Sequence, residues 1–533
     1  MKLLPTSVSV FSNIIKKNMI YIDKTESIYK LIKSEKIYFF LSRPRRFGKS
    51  LFISTLKEYF TGNKELFKGL FIHDKMDENN KYPIIRLDFS NISYTTAETF
   101  KKYLNKEFNK IANSYNFNLD DDDVKYNFKD LIEKIHKIKN KEVVVLIDEY
   151  DKPITDYIND IKIAKPNQEI IRDLFQILKS SEEYLRFVFV TGVSKFSKTS
   201  IFSDANNFND ITTTPDYATI CGYTQDDLKE FDYYIKKNMK INNLNKEDFL
   251  NKMKYWYDGY SWDGKNFLYN PYTLLNFFEN GKFSNYWFES GTPKLLISLL
   301  KRDSIDIDVL IDENSIISGS FPNFDLNNLD FKTILLQSGY LTIKEEILNN
   351  EEAEYRIAIP NYEVKQSLFN YIMGYYTNNN SENIPQMTKE IFKSIISLDS
   401  QKLQRNFEIL LHKIPNMLWG EIKKEYEANY KILFISCLQL LGFDITSEVM
   451  TIKGRLDAIL KHKEMVLITE FKFSLTDSLD EMINDAFNQI IKKEYYKPYQ
   501  NKKVFLLSVA FKSREVKCEI KSLGDAFKDF NEL

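Results

Sequence analysis

Two groups of polar residues stand at the ends of apolar runs and have the composition for phosphate chemistry. In the first, the run Ile37–Leu41 leads into Ser42-Arg-Pro-Arg-Arg-Phe-Gly-Lys-Ser50, and an amphipathic segment, Leu51–Phe60, follows. A strand, a tight loop ending Gly-Lys-Ser and a helix aim backbone N–H groups and a helix N-terminus at phosphate oxygens. Gly48 lets the backbone come close, Lys49 reaches the β- and γ-phosphates, and the Ser50 hydroxyl completes a Mg²⁺ shell. The general loop has a glycine five residues before Gly48, and this chain has Arg43 there. Alone, the loop also fits an ordinary strand-to-helix turn. Its partner is the run KEVVVLIDEYDKP, a buried strand ending in Asp148 and Glu149. Asp148 is placed to hold Mg²⁺ and Glu149 to polarise an attacking water. The two together read as a nucleoside triphosphate site. A further run, LRFVFVTGVSK, ends in Thr191 and Ser194, which serve either as γ-phosphate sensors or as simple strand caps.

The second group lies near the other end of the chain. MTIKGRLDAIL and MVLITEFKF are apolar runs joined by Lys461-His-Lys-Glu464, which reads as a hairpin with a four-residue loop. Glu470 and Lys472 are two residues apart and so share a face. Asp457 falls within about one residue step of being opposite Glu470. Two carboxylates and an ammonium on otherwise apolar strands are costly to bury unless paired or metal-bound. The geometry suits metal-dependent phosphodiester cleavage, with Asp457 and Glu470 on Mg²⁺ or Mn²⁺ and Lys472 orienting or deprotonating water. A structural salt bridge accounts for the triplet equally well. The order around it tilts the balance: a segment with Glu427, then Glu448, the hairpin, an amphipathic helix carrying Gln489, and the strand KVFLLSVAF.

The elements that must position these groups set the organisation. Short apolar runs alternate with amphipathic helices up to about residue 235, the rhythm of a parallel α/β sheet. Residues 236–376 are aromatic and mainly helical, a separate supporting domain in which the aromatics read as core. The polar stretch 377–385 (TNNNSENIP) is the best linker, and 388–533 reads as a further α/β domain. The chain has 533 residues, with 74 Lys and Arg against 75 Asp and Glu. That balance excludes a generally basic polyanion binder, so any nucleic acid must meet a local patch. Residues 491–521 hold nine Lys or Arg against three acids, either a surface that tracks a phosphate backbone or a solvated basic face. Three scattered cysteines and four histidines have no ligand spacing, which argues against a zinc site or a disulfide scaffold. The run Asp120–Asp123 reads as solvated surface. No signal-peptide pattern or run of 18 apolar residues occurs, so a soluble, intracellular, cytoplasmic protein is expected.

YIDKT (Tyr21–Thr25), RPRRFGKS (Arg43–Ser50), LIDEYDKP (Leu146–Pro153), TGVSKFSKTSIFS (191–203) and GYT (Gly222–Thr224) resemble the AAA-ATPase-like family. There the arginine-rich loop is the norm, and the resemblance implies that Arg45 and Arg46 supply charge in place of the missing glycine N–H. It extends through WYDGY (Trp256–Tyr260), YNPY (Tyr269–Tyr272), QSGYLT (Gln337–Thr342) and IPNYEV (Ile359–Val364), motifs to which no chemistry attaches from sequence. Gly454, Arg455, Asp457, Glu470, Lys472 and Gln489 resemble the PD-(D/E)XK nuclease superfamily, in the branch fused after such ATPase-like modules, with Leu456-Asp457 in place of Pro-Asp. The implied architecture is an α/β P-loop NTPase domain of the additional-strand type (1–235), a mainly helical middle domain (236–376) and an α/β restriction-endonuclease-like domain (388–533). The implied cofactors are ATP and Mg²⁺, with Mn²⁺ also suited to the second site. The implied partners are nucleotide and nucleic acid, DNA or RNA, with no membrane and with homo-oligomerisation open. The leading expectation is a Mg²⁺-dependent ATPase coupled to a nuclease. Its rivals are a nucleotide-dependent switch whose last domain binds nucleic acid or protein without cutting it, and a structural assembly protein.

Overall fold

A computed structural model of the chain describes residues 2–77, 81–196, 207–287, 315–318, 326, 330–349, 352–376, 384–412, 430, 434–439, 443–451 and 454–532. The chain forms two compact units, one of Met1–Leu299 with Ile316–Glu363 and one of Leu300–Ser315 with Val364–Leu533.

The first unit is built on a parallel sheet of β1 (Tyr38–Ser42), β2 (Ile84–Asp88), β3 (Val143–Asp148), β4 (Leu185–Gly192) and β5 (Asn209–Asp210), in the order β2-β3-β4-β1-β5. Strand β4 lies between the loop strand β1 and the acidic strand β3, which is the additional-strand arrangement. Register then fixes the site: Leu41 is level with Thr191, Ile147 with Val190 and Asp88 with Asp148. The ends of four strands therefore meet at one edge. Every residue of β3 is buried, because a parallel sheet is covered on both faces. Val143, Val145 and Ile147 enter the core beneath the helices Ala97–Ser114, Val124–Lys139 and Ile161–Ser180. Val144 and Leu146 point oppositely, into the core with Phe52, Ile53 and Leu56 of the helix Lys49–Phe60.

Residues beyond the sheet form a mainly helical region, with Phe249, Tyr257, Phe277 and Phe278 at its centre. It also contains a small antiparallel sheet of β6 (Ile316–Ser318), β7 (Thr342–Asn349) and β8 (Glu352–Ala358), in the order β6-β8-β7, an addition to the helices read from sequence. Charged residues interrupt the apolar alternation of β7, so composition alone gave little strand signal there.

The second unit carries a five-stranded sheet of β9 (Asp444–Thr451), β10 (Gly454–His462), β11 (Met465–Phe473), β12 (Lys503–Lys512) and β13 (Glu515–Ser522), in the order β13-β12-β11-β10-β9. Strands β11 and β12 are parallel, and the other neighbours are antiparallel. The crossover between β11 and β12 is the helix Leu479–Lys492, opened by a capping box of Ser478 and Glu481. The expected four-residue hairpin loop is shorter: His462 pairs with Met465, and only Lys463 and Glu464 form the turn, with Lys463 at φ +52°. Polar side chains mimic a loop, but the ladder is closed by the backbone. The inter-domain linker lies mostly outside the described residues, and its last two residues begin the helix Ile384–Ile396. Among the described residues, no helix is long and apolar enough to cross a membrane.

Leu146 is fully buried in the central strand. Leu146→Ala should therefore cost about 2–5 kcal/mol and Leu146→Met under about 1.5 kcal/mol. Urea unfolding should show a lowered midpoint with unchanged slope.

Candidate functional site

Gly48 caps the helix Lys49–Phe60 with φ +94°, and a Cβ there would meet nothing within 4 Å. The backbone conformation, not the space, calls for glycine. Lys49 is only 5% exposed, and its Nζ donates to the Arg43 and Pro44 carbonyls, each at 2.9 Å. Burial pulls its pKa down, and Asp148, Glu149 and Asp151 oppose that pull. Asp148, 1% exposed, accepts from the Ser50 hydroxyl. Burial pushes its pKa up to about 6, with Ser50 and Lys49 holding it from rising further. Its Oδ1 is buried and has no hydrogen-bond partner. Glu149 adopts φ +51°, a left-handed conformation that costs about 1 kcal/mol or more, and its carboxylate pairs with Lys152 at 3.3 Å.

The loop after β4 is held by a residue to which the sequence attached no role. Asp151 accepts from the backbone N–H of Ser194 at 2.7 Å and of Val193 at 3.1 and 3.2 Å. A Cβ on Gly192 would collide with Asp151 Oδ1 and lie 2.7 Å from Tyr150 Cδ1. Ser194 is buried, and its carbonyl accepts from the Tyr150 hydroxyl at 2.9 Å. The Thr191 hydroxyl donates to the Leu41 carbonyl at 2.8 Å, so it ties strands together. Arg45 lies 3.7 Å from Asp156, and the Arg46 guanidinium sits 4.6 Å from the Tyr272 ring centroid. Residues 197–203 of the long motif after β4 lie outside the described residues. Beside Gly48 opens a mainly apolar cavity of about 50 Å³ lined by Ile20, Tyr21, Ile22, Cys221 and Tyr223, which gives the YIDKT and GYT motifs a common place.

In the second unit, continuing the β10–β11 register by one step from Ala458 and Thr469 sets Asp457 opposite Glu470. Asp457 accepts from the Phe471 N–H at 2.8 Å. The Lys472 ammonium donates to Glu470 at 3.2 Å and to the Gln489 carbonyl at 2.7 Å, and the Gln489 amide donates to Glu470. All four residues named from sequence thus converge, and the shortened turn accounts for the alignment. Glu470 is 3% exposed and its Oε2 has no hydrogen-bond partner. Burial pushes its pKa up to about 7, Asp457 adds to this, and Lys472 opposes it. Glu427 lies outside the described residues, as do the side chains of Glu448 and Arg455. The basic stretch is partly neutralised: Lys497 pairs with Glu494, Lys517 with Asp480, and Lys521 with Glu519 and Asp529.

Both sites offer an orphaned, buried carboxylate oxygen beside a lysine, a donor set that fits a hard divalent cation whose remaining ligands are phosphate or water oxygens. The acidic run 120–123 has another use: Asp123 caps the helix Val124–Lys139, accepting from the Tyr126 N–H at 2.8 Å.

A family model described as predicted AAA-ATPase matches residues 5–202, and one described as PD-(D/E)XK nuclease superfamily matches residues 425–521. A protein of Azotobacter chroococcum mcd 1, described as an uncharacterized protein in the vnfD 5' region, is 32% identical over 518 residues, covering 96% of both chains. No solved structure matches.

The pKa of Glu470 sets the sign of a pH effect. The folded state binds its proton more tightly than the unfolded chain, so stability falls as pH rises from about 4.5 through about 7. Glu470→Gln should therefore raise the melting temperature at pH 8 and leave it nearly unchanged at pH 5, as calorimetry of the full chain would record.

Proposed function

Because the chain belongs to the predicted AAA-ATPase family and carries a PD-(D/E)XK nuclease superfamily domain, we propose that it is a Mg²⁺-dependent ATPase coupled to a metal-dependent nuclease acting on nucleic acid. The observation that carries this reading is the pair of orphaned oxygens, Asp148 Oδ1 at the end of β3 and Glu470 Oε2 within β11, each buried beside a lysine. Unpaired buried carboxylate oxygens are costly unless a cation completes them.

At the first site, Lys49 would face the β- and γ-phosphates, and Ser50 with Asp148 would hold Mg²⁺. Glu149 orients the water that attacks the γ-phosphorus, while Arg45, Arg46 and the Ser194 loop border the phosphates. The nucleobase lodges in the cavity between Tyr21 and Tyr223. Bound Mg²⁺ neutralises phosphate charge. At the second site, Asp457 and Glu470 would hold Mg²⁺ or Mn²⁺, whose charge would polarise the scissile phosphate. Lys472 orients water and steadies the charge that gathers on the phosphorane, and Gln489 holds Lys472 and Glu470 in place. We divide the chain functionally at 1–235, 236–376 and 388–533. A cytoplasmic setting supplies ATP and Mg²⁺, and a homo-oligomer would allow an arginine of one copy to reach the phosphates of another.

One observation favours the rival, a nucleotide switch whose last domain binds without cutting. Lys472, Glu470 and Gln489 form a closed set of hydrogen bonds, as a structural cluster would. Incubating plasmid, single-stranded DNA and RNA with Mg²⁺ or Mn²⁺, with and without ATP, separates the two readings. The nuclease reading requires cleavage that disappears in Lys472→Ala and Glu470→Gln.

For the first site, Lys49→Ala should abolish ATP binding. Glu149→Gln should bind ATP but hydrolyse it at least about 100-fold more slowly. Mg²⁺-dependent affinity should weaken as pH falls through about 6, where Asp148 takes up a proton, and Asp148→Asn should remove that dependence. Calorimetry and phosphate release measure all three, and wild-type affinity in Lys49→Ala would overturn the assignment.

A further inference from the structure

The residue that stands where a glycine is usual in a phosphate loop has its own machinery. Arg43 is fully buried, and its guanidinium donates to the carbonyls of Ser42 and Thr212 at 2.8 Å, Tyr217 at 3.3 Å and Ala218 at 3.5 Å. Its Cζ lies 4.1 Å from the ring centroid of Trp262, and its backbone N–H donates to the Gly192 carbonyl at 3.1 Å. Facing inward, it cannot serve as a phosphate ligand. Its own carbonyl and that of Pro44 receive the Lys49 ammonium. The position of Arg43 therefore sets the position of Lys49.

The following loop residues are held from the same side. Pro44 packs on Gly339, where a Cβ would lie 2.8 Å from the Pro44 ring. The Trp287 indole N–H donates to the Arg45 carbonyl at 3.3 Å, Arg46 lies over Tyr272, and the Phe47 ring meets Tyr260 and Trp262 edge-on at 4.9 and 5.1 Å. These partners lie between residues 260 and 339, outside the stretch 5–202 that matches the ATPase family model. Every loop residue from Arg43 to Phe47 thus has a partner there.

We propose that Arg43 and Trp262 are a pair of positioning residues for the triphosphate site, so that the aromatic region beyond the sheet is an obligate part of the nucleotide machinery. This rests on the ATP reading of the first site. A guanidinium that satisfies four carbonyls and stacks on an indole face anchors the front of the loop. Lysine, a point charge on a flexible stem, cannot reproduce that planar fork.

The test uses the full chain and four variants: Arg43→Lys, Trp262→Leu, Trp262→Phe and the Arg43→Lys/Trp262→Leu double. Affinity for Mg²⁺-ATP should fall at least about 10-fold in Arg43→Lys and in Trp262→Leu, stay within about 3-fold in Trp262→Phe, and fall no further in the double than in the weaker single, because paired residues are not additive. A second readout needs no nucleotide. Arg45 and Arg46 are exposed, so trypsin reports on loop order, and cleavage after them, mapped by mass spectrometry, should accelerate at least about 10-fold in Trp262→Leu and not in Trp262→Phe. Melting temperatures identify any variant that fails to fold, in which case Arg43→Lys carries the comparison. Wild-type ATP affinity and wild-type trypsin resistance in folded Arg43→Lys or Trp262→Leu would overturn the proposal, as would losses that multiply in the double. If the wild-type chain binds no ATP, the nucleotide reading fails, and the trypsin comparison still decides whether the pair orders the loop.

Discussion

Burying the Lys49 ammonium removes it from water, and that loss must be met by carbonyls and carboxylates fixed around it. The requirement explains much of the first unit. Two loop carbonyls come from Arg43 and Pro44, so the loop must curl back over its own helix. The surrounding carboxylates come from Asp148, Glu149 and Asp151 at the end of β3, so β3 must end level with β1. Strand β4, placed between them, sets that spacing and brings Ser194 within reach of Asp151.

The second unit meets a related problem with the signs exchanged. There, among the described residues, the most buried charged group is a carboxylate, Glu470, and an ammonium and an amide are brought to it. One carboxylate oxygen is satisfied and the other is left bare. The two units share no strand order, and one sheet is all parallel while the other is mostly antiparallel, yet each leaves a half-satisfied acid on an otherwise apolar strand. That likeness comes from the chemistry of holding a cation, not from the fold.

Much of this was legible in the sequence because the groups sit at the ends of apolar runs, where periodicity and composition agree. Lys49, Ser50 and Asp148 could be placed from the strand–loop–helix pattern, and Glu470 and Lys472 from a period of two. What could not be read was long-range or conformational. Arg43 read only as the residue standing in place of a glycine, with Arg45 and Arg46 supplying charge for the missing N–H; its own role was hidden because its acceptors are backbone carbonyls near residues 212–218 and its aromatic partner is Trp262. Asp151 carries no signal beyond membership of an acidic triplet, since its partners are peptide N–H groups after β4. The opposition of Asp457 and Glu470 required a turn of two residues, which the four polar residues Lys461–Glu464 concealed. The motifs around Tyr260, Tyr272 and Gly339 had no chemistry of their own, and the structure gives them a mechanical use behind the loop.

The parallel pairing of β11 with β12 carries a consequence in time. Parallel neighbours need a crossover, and here the crossing helix brings Gln489 to Glu470 and Lys472. That helix buries its apolar face against strands that include β12, which ends at Lys512. A ribosome that has just made the β10–β11 hairpin has therefore assembled the two carboxylates without the packing that seats their companion glutamine. The cluster acquires its full geometry only once β12 has joined the sheet and seated that helix, a step that follows closure of the hairpin.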